Sequence, residues 1–369
     1  MRPTEATVDL DAISRNITRL IDHVAPSQVC AVVKADGYSH GAVAVARAAL
    51  KAGAAQLAVA LVEEGIELRN AGITGPILVL SEPRPLEMVE VVEYDLTPSV
   101  YSGEGLAAVA AAAASAGRGP LQVQIAVDTG MRRVGAEMAD IDLLARAVAD
   151  KPELELVGIW THCAVADELD NEMTGVQLDR FDAIVDKLRS AGQESLVIHA
   201  GNSAVALAHA RGRYDMVRCG IAMYGIAPGP GFDDIGLEPA MGLRSRVSFV
   251  KTVRAGDSIS YGLKHRFERD TVVATVPIGY ADGIRRSYWA HGGQVLVDGE
   301  RRSIVGTVTM DQIMVDCGPD ASVATGDEVV LIGPQGDQEI TATEIADKLG
   351  TIPYEVVCDL GNRVRRRYL

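Results

Sequence analysis

A lysine at the end of an apolar run is the first residue here that could do chemistry. Lys34 stands in Val32-Val33-Lys34-Ala35-Asp36-Gly37-Tyr38-Ser39-His40-Gly41, after a run that reads as a β-strand. A lysine amine in water is protonated, with a pKa of about 10.4, and becomes nucleophilic when desolvated or flanked by cations. Such an amine can form a Schiff base with an aldehyde cofactor. Alone, a strand-end lysine would simply reach out to solvent. Other reactive side chains sit at comparable places: Asp128 with Arg133 just after it, His162, the segment His199-Ala200-Gly201-Asn202-Ser203, and Arg218 inside Val217-Arg218-Cys219-Gly220-Ile221. A lone strand histidine is otherwise a satisfied core residue. A buried guanidinium needs a partner, and an ion pair is the expected one. Ser203 opens a helix between Gly201 and Gly220, a pattern that can cradle a phosphate on backbone N–H groups. The same pattern also serves as a plain helix cap.

The elements that must position these groups alternate over the first two-thirds of the chain. A helix is expected near 10–24, with Ile13, Ile17, Leu20 and Ile21 on one face. Eight strand candidates follow at 29–35, 56–62, 76–80, 96–100, 121–128, 154–162, 196–200 and 216–223, with helices between most of them, including 40–52, 86–94, 141–149, 177–191 and 203–210. Strands apolar on both faces fit a parallel sheet covered by helices. The predicted fold is α/β: an N-terminal (β/α)8 TIM barrel over 9–230, plus a C-terminal all-β domain over 236–369 joined by an N-terminal strand 1–8. Barrel sites lie at the C-terminal ends of the strands, where Lys34, Asp128, His162, Ser203 and Arg218 fall. An open doubly wound sheet would want a Gly-rich dinucleotide turn after its first strand, which Lys34-Ala35-Asp36-Gly37 does not supply. Beyond Gly236, period-two runs at 244–250, 271–277, 294–297, 302–308, 313–315 and 328–332 replace the βα units. One short helix is expected near 343–349, capped by Thr341 or Thr343. The terminal arginine run 363–367 reads as a solvated end.

Composition narrows the classes of function. The 369 residues are 48% hydrophobic and 23% charged, and 35 basic against 50 acidic side chains give a net charge of -15. That, with no basic helix or aromatic-basic alternation in the sequence, argues against a nucleic-acid surface. The alanine-rich run 106–116 is too short to span a bilayer, so no membrane role is expected. The five cysteines are scattered without a C-x-x-C pair, which argues for reduced thiols, a cytoplasmic location, and neither a zinc site nor a disulfide framework.

The motifs in order resemble the alanine racemase family over nearly the whole length. They are A-V-V-K-A-D-G-Y-S-H-G over 31–41, D-T-G-M-R-R-V-G over 128–135, T-H-C-A-V-A-D-E over 161–168, H-A-G-N-S over 199–203 and V-R-C-G-I-A-M-Y-G over 217–225. S-Y-G follows at 260–262, P-I-G-Y-A-D-G at 277–283, T-M-D-Q at 309–312 and P-Y-E-V at 353–356. The resemblance implies interconversion of L- and D-alanine with pyridoxal 5'-phosphate, in a homodimer with composite sites that supplies D-alanine as a peptidoglycan precursor. Lys34 resembles the lysine that holds the cofactor. Tyr38, Ser203, Gly220, Ile221 and Tyr354 match positions on its phosphate, and Asn202 is carried over as a cofactor-binding position beside them. Arg218 matches the residue facing the pyridine nitrogen. Lys34 and Tyr261, the latter from the second subunit, match two bases on opposite faces of the substrate, with His162 linking Tyr261 to Arg218. Arg133 matches a residue on the cofactor's phenolic oxygen and the substrate carboxylate. Met310 and Asp311 match second-subunit positions at the substrate, and Tyr280 and Arg286 the entrance.

Departures from the pattern are local. Ala126 replaces a lysine that is carbamylated in many members and orients the arginine, so a changed rate or a broader substrate range is expected. Arg132 replaces a usual glycine, and Gly37 and Ser39 swap the common residues around Tyr38. Three other readings stand beside the first. They are a racemase of serine or of a broader amino-acid range, a decarboxylase of the same fold type, and a single-barrel cofactor-binding protein. The decarboxylase would want a convincing cysteine motif where Cys317 stands, and the single barrel leaves the last third of the chain unexplained.

Overall fold

The computed structural model describes residues 2–117, 119–232 and 235–369; Met1, in the strand expected at 1–8, lies outside the described residues. The chain divides into two compact units, one of 11–37 and 41–238, the other of 1–10, 38–40 and 239–369.

In the second unit's first segment, β1 (Glu5–Val8) leads into α1 (Leu10–Val24). The larger unit then runs β2 (Gln28–Val32), α2 (Ala42–Lys51), β3 (Gln56–Val59), α3 (Val62–Asn70), β4 (Ile77–Val79), α4 (Met88–Glu93), β5 (Thr97–Val100) and α5 (Gly103–Ala116). It continues with β6 (Leu121–Ala126), α6 (Ile141–Ala149), β7 (Leu154–Trp160), α7 (Met173–Ser190), β8 (Val197–His199), α8 (Ser203–Ala208) and β9 (Met216–Cys219). The eight strands pair in parallel in the order β8-β7-β6-β5-β4-β3-β2-β9. Backbone bonds from Asp215 N to Ile198 O (3.0 Å) and from Arg218 N to Gly201 O (2.7 Å) join β9 to β8 and close the ring. This is the (β/α)8 barrel expected from the period. Most strands are shorter than their apolar runs, and at β2, β6, β7, β8 and β9 the last residues of the run continue into the loops that carry the reactive side chains. Helix α1 buries Ala12, Ile13, Asn16, Ile17, Leu20 and Val24 along one face. The buried Asn16 amide is satisfied by Met223 O (3.2 Å) and Glu238 O (2.8 Å), and its oxygen by Glu238 N (2.8 Å), which ties this helix to the end of the barrel.

The other unit is mostly β, with strands β10 (Met241–Arg246), β11 (Phe249–Val253), β12 (Ser258–Ile259), β13 (His265–Arg266), β14 (Thr271–Val276), β15 (Gln294–Val297), β16 (Glu300–Ile304), β17 (Ile313–Gly318), β18 (Glu328–Gln335), β19 (Gln338–Ile340) and β20 (Arg365–Tyr368). The main sheet runs β11-β14-β17-β16-β15-β18-β10-β1-β20. The run expected at 244–250 is two strands, broken at Val247-Ser248. Two helices are present where one was expected. α9 (Ala342–Leu349) is capped by the Thr341 side chain accepting from Glu344 N at 3.0 Å. α10 (Pro353–Cys358) starts on a proline suited to the first helical position, and its six residues are too few to show a period. The arginine run is solvent-exposed as expected, but it is also a paired strand. β20 pairs with β1, Arg365 and Arg367 reach Glu5 (both 3.0 Å), and Arg366 donates to the carbonyls of Ser39, Leu360, Gly361 and Val364.

One buried carboxylate organises the loops of this unit. Asp282 is fully buried and takes a bidentate pair from Arg2 (2.6 and 2.6 Å) and the Gly279 N–H (2.9 Å). Arg363 lies 3.4 Å away and also reaches Asp311 at 2.6 Å. A Cβ on Gly279 would fall 2.3 Å from Thr309 O, so only glycine lets these loops meet; Tyr280 N and Ala281 N then donate to Thr309 O and Met310 O. Among the described residues no helix is long and apolar enough to cross a membrane.

Burial pushes the Asp282 carboxyl up, but Arg2, the Gly279 N–H and Arg363 outweigh it and hold the pKa below its ordinary value. Its contribution is therefore complete above the unfolded carboxyl pKa of about 3.9 and is lost as pH falls through the lower folded value. Asp282→Asn should cost on the order of 3 kcal/mol at neutral pH by leaving Arg2 without its ion pair. It should also flatten the acid limb of Tm against pH. An unchanged acid limb in the variant would assign that limb to other groups.

Candidate active site

The C-terminal rim of the barrel carries the first cluster. β2 stops at Val32, and Lys34, half-buried, begins a left-handed turn in which Ala35, Asp36, Gly37, Tyr38 and Ser39 have φ of 53°, 51°, 59°, 52° and 62°. That conformation costs an ordinary L-residue roughly 1–2 kcal/mol, so four non-glycine residues are held there against their preference. Within the barrel unit, Gly37 N donates to Val33 O (2.9 Å), Gly41 N to Asp36 O (2.8 Å), Ala42 N to Asp36 Oδ1 (2.9 Å) and Ala35 N to Glu64 Oε1 (2.6 Å).

Arg218, on β9, is 3% exposed. The expected ion pair is absent: among the described residues no carboxylate lies within ion-pair distance of it. Nη1 donates to His199 Nδ1 (3.0 Å) and His199 O (3.2 Å), while Nη2 reaches Thr161 O (2.8 Å), His162 Nδ1 (3.2 Å) and Ala200 O (3.3 Å). The guanidinium carbon lies 4.8 Å from the centroid of the Trp160 ring, a cation–π contact. Nε has no hydrogen-bond partner among the described residues. Carbonyl dipoles and a π face thus do the work of a counter-ion. Burial pushes Arg218 down to about 10, and it stays charged at neutral pH.

The two histidines beside it are held neutral. Burial, then the positive charges of Arg218, Arg133 and Lys34, push His162 down to about 3. Burial, then Arg218, push His199 well below its ordinary value. Since Arg218 donates to Nδ1 of both rings, each carries its proton on Nε2. His199 Nε2 passes it to Gln124 Oε1 at 2.7 Å, and Trp160 Nε1 donates to Ser99 Oγ at 3.1 Å. β5, β6, β7 and β8 therefore all orient the one cation on β9.

Ser203, the first residue of α8, is buried, and its Oγ accepts from Gly220 N (3.0 Å) and Ala222 N (3.3 Å), leaving its hydroxyl proton to donate. The Asn202 side chain caps α8 through Val205 N (3.0 Å). Gly201 is required by packing, since a Cβ there would meet Val217 Cγ1 at 2.9 Å. Ile221 opens a short turn in which the Tyr224 hydroxyl donates to Val32 O (3.1 Å), back toward Lys34. Arg133 is exposed, with no hydrogen-bond or ion-pair partner among the described residues. Ala126 is buried at the end of β6, and Asp128 organises the following loop by accepting from Gly130 N (2.8 Å) and Arg132 N (3.1 Å). Arg132 stands at φ 58°, which explains why a glycine is at ease there.

The second unit holds the remaining candidates. The rings of Tyr38 and Tyr354 lie 6.2 Å apart, and Ser39 Oγ donates to Cys358 O (3.1 Å). Tyr261 is 68% exposed on a tight turn fixed by Ser260 Oγ to Thr307 O (2.6 Å) and Thr307 Oγ1 to Tyr261 O (3.0 Å). Met310 is also exposed, and Asp311 is held by Arg363. Tyr280 is joined to the Met310 loop by the backbone bonds above, and Arg286 is exposed.

Residues 8–228 match the family described as alanine racemase, N-terminal domain, and residues 240–368 match alanine racemase, C-terminal domain. The chain belongs to the alanine racemase family. It is 46% identical to the alanine racemase of Symbiobacterium thermophilum over 100% of this chain and 97% of that protein. It superposes with a TM-score of 0.94 on alanine racemase from D-cycloserine-producing Streptomyces lavendulae, at 40% identity over 100% of this chain and 97% of the other. The Bacillus anthracis alanine racemase with bound L-Ala-P gives 0.92 at 38% identity, over 100% and 95%.

Sequence reasoning gave no role to Gln124, Trp160 or Glu64, and none to the ring of His199. Polar or aromatic residues in otherwise apolar strands were the available signal for the first two. For Glu64 the signal is the acidic pair Glu63-Glu64 in the first turn of α3.

The histidine environment is directly measurable. Nitrogen NMR of labelled protein should show His162 and His199 as neutral Nε2–H tautomers from about pH 8 to about pH 5. Below about 6.5 the unfolded chain takes up a proton that folded His162 refuses, so stability falls with pH until about 3. His162→Gln should flatten that part of the stability curve. A ring titrating near 6.5 in the folded protein would refute the assignment.

Proposed function

We propose that this chain racemises alanine with pyridoxal 5'-phosphate. Family membership supports the activity, and the observation that carries the cofactor reading is Arg218. It is a buried cation with no carboxylate partner among the described residues, and its Nε–H donates to none of them, on the barrel rim that also holds Lys34. That donor suits an aromatic nitrogen acceptor. Ser203 Oγ, pre-set by two backbone N–H groups, suits a phosphate oxygen, together with Gly220 and Ile221. Tyr38 and Tyr354 complete this set in the proposal, with Asn202 fixing the start of α8. The bound cofactor would supply a π-system that delocalises the electron pair left when the substrate loses its α-proton.

Lys34 would hold the cofactor covalently through Nζ and, once displaced by the substrate amine, move the α-proton on one face. Tyr261 of a second copy would do so on the other face through its hydroxyl; its exposure fits a group used in trans. A phenol needs help to accept a proton near neutrality, and His162, a neutral imidazole fixed by Arg218, can orient it. Arg218 retains its own proton, so it would offer a cofactor ring nitrogen a hydrogen bond without protonating it, which would disfavour competing reactions. Arg133 would bind the substrate carboxylate as a fork, with Met310 and Asp311 of a second copy at the substrate, and Tyr280 and Arg286 lining the entrance. Ala126 supplies no carbamate to orient Arg133, so rate and substrate range are the properties expected to differ from relatives with a lysine there.

In deuterated water with added cofactor, L-alanine should yield D-alanine carrying α-deuterium, and Lys34→Ala should abolish it. Exchange on serine but not alanine would move the substrate assignment. A second test isolates the composite site. Lys34→Ala and Tyr261→Ala proteins, each inactive, should regain roughly a quarter of wild-type activity when dissociated and reassociated, because half the dimers are mixed and each mixed dimer has one intact site. No recovery despite mixed dimers would place Lys34 and Tyr261 of one chain in the same site.

A further inference from the structure

We propose that Glu64 is a positioning residue for Lys34, clamping the left-handed turn that follows the lysine; this rests on the reading of Lys34 as the cofactor-holding amine. Glu64 sits at the third position of α3, on the βα unit next to that of Lys34. One of its oxygens, Oε2, accepts from Ala60 N (2.8 Å) and Leu61 N (3.1 Å), which is the usual task of a glutamate at this position of a helix. The other, Oε1, leaves the helix and accepts from Ala35 N at 2.6 Å, 29 residues earlier in the chain. Helix capping needs only the first oxygen, so the second bond is a separate task.

Ala35 is both the neighbour of Lys34 and the first left-handed residue of the turn. A charge-assisted bond to its N–H fixes the peptide plane that leaves Lys34, and with it the direction of the side chain. The clamp is itself rigid. Gly65, next to Glu64, brings α3 so close to Leu96 that a Cβ would fall 2.8 Å from that side chain, so the helix seat is fixed. A carboxylate is the group the geometry requires: three N–H donors converge on two acceptor oxygens. A glutamine offers one acceptor oxygen and turns an NH2 toward the remaining donors.

The test compares Glu64→Ala and Glu64→Gln with wild type and with Glu82→Ala. Glu82 is a control of the same design on a neighbouring loop, where its carboxylate accepts from Tyr101 N (2.5 Å) and Ser102 N (2.9 Å). Each full-length protein is stripped of cofactor and reloaded with pyridoxal phosphate. Loading is followed by the visible absorbance of the bound cofactor and by borohydride trapping on the Lys34 peptide, and Tm is recorded in parallel. Glu64→Ala should load about tenfold more slowly and lose about tenfold in kcat, with KM for alanine within about twofold. Glu64→Gln should fall between it and wild type. Glu82→Ala should lower Tm comparably yet load and turn over as wild type does. Wild-type loading and kcat in Glu64→Ala, or the same losses in Glu82→Ala, would overturn the clamp. A wild-type protein that takes up no cofactor on Lys34 would instead overturn the reading of Lys34, and the clamp's function with it.

Discussion

A guanidinium buried without a carboxylate is the constraint to which much of the barrel answers. Moving such an ion out of water costs several kcal/mol after relaxation, and a carboxylate would ordinarily offset this. Here Arg218 is compensated by three carbonyl oxygens, two imidazole nitrogens and the face of Trp160. None of these neutralises the charge, so its field persists in the site. Burial first, and this field second, keep both histidines unprotonated, and the arginine's donors require Nδ1 of each ring to be an acceptor. The tautomers follow from the arginine. Gln124 then fixes His199, and Ser99 fixes Trp160, so strands distant in sequence converge on one charge.

The second unit is organised by a charge of opposite sign. Asp282 is as buried as Arg218, but it is fully paired, and its partners reach across the unit from Arg2 to Arg363. The difference suits the two tasks. Asp282 joins loops, where a neutral and specific knot is wanted, and Gly279 lets those loops touch. Arg218 keeps a donor in reserve, where an unspent charge is wanted.

Much of this was legible in the sequence, and the limits are physical. The barrel showed itself because a βα unit recurs at a nearly fixed length and buried parallel strands are apolar on both faces. The positions of Lys34, His162, Ser203 and Arg218 followed from the strand ends. What surrounds Arg218 did not. A guanidinium in Val-Arg-Cys predicts a partner but cannot say that carbonyls will serve, because carbonyls are present at every residue. The arginine run at 363–367 is exposed, and charge is a poor strand signal, so its pairing with β1 beside Glu5 was not legible. The left-handed turn was hidden for a similar reason: Lys34-Ala35-Asp36-Gly37-Tyr38-Ser39 contains a single residue suited to that conformation.

That turn is where local preference and observed structure disagree most. Ala35, Asp36, Tyr38 and Ser39 would each relax to right-handed or extended conformations in a free peptide. They are kept in place by bonds from outside the segment, to Glu64, to Ala42 and, at Ser39, to Cys358 and Arg366. A strand running straight on from β2 would put Lys34 and Tyr38 on one face, about 13 Å apart along the strand and both leading away from the rim. The left-handed turn instead reverses the chain within a few residues, so that a lysine and a tyrosine only four positions apart fall into different compact units. A sequence that merely had to fold would have placed glycine at more of these positions. Retaining side chains on a strained backbone, with bonds recruited from four other segments to hold it, is the arrangement expected where the direction of one amine matters more than the stability of the loop that carries it.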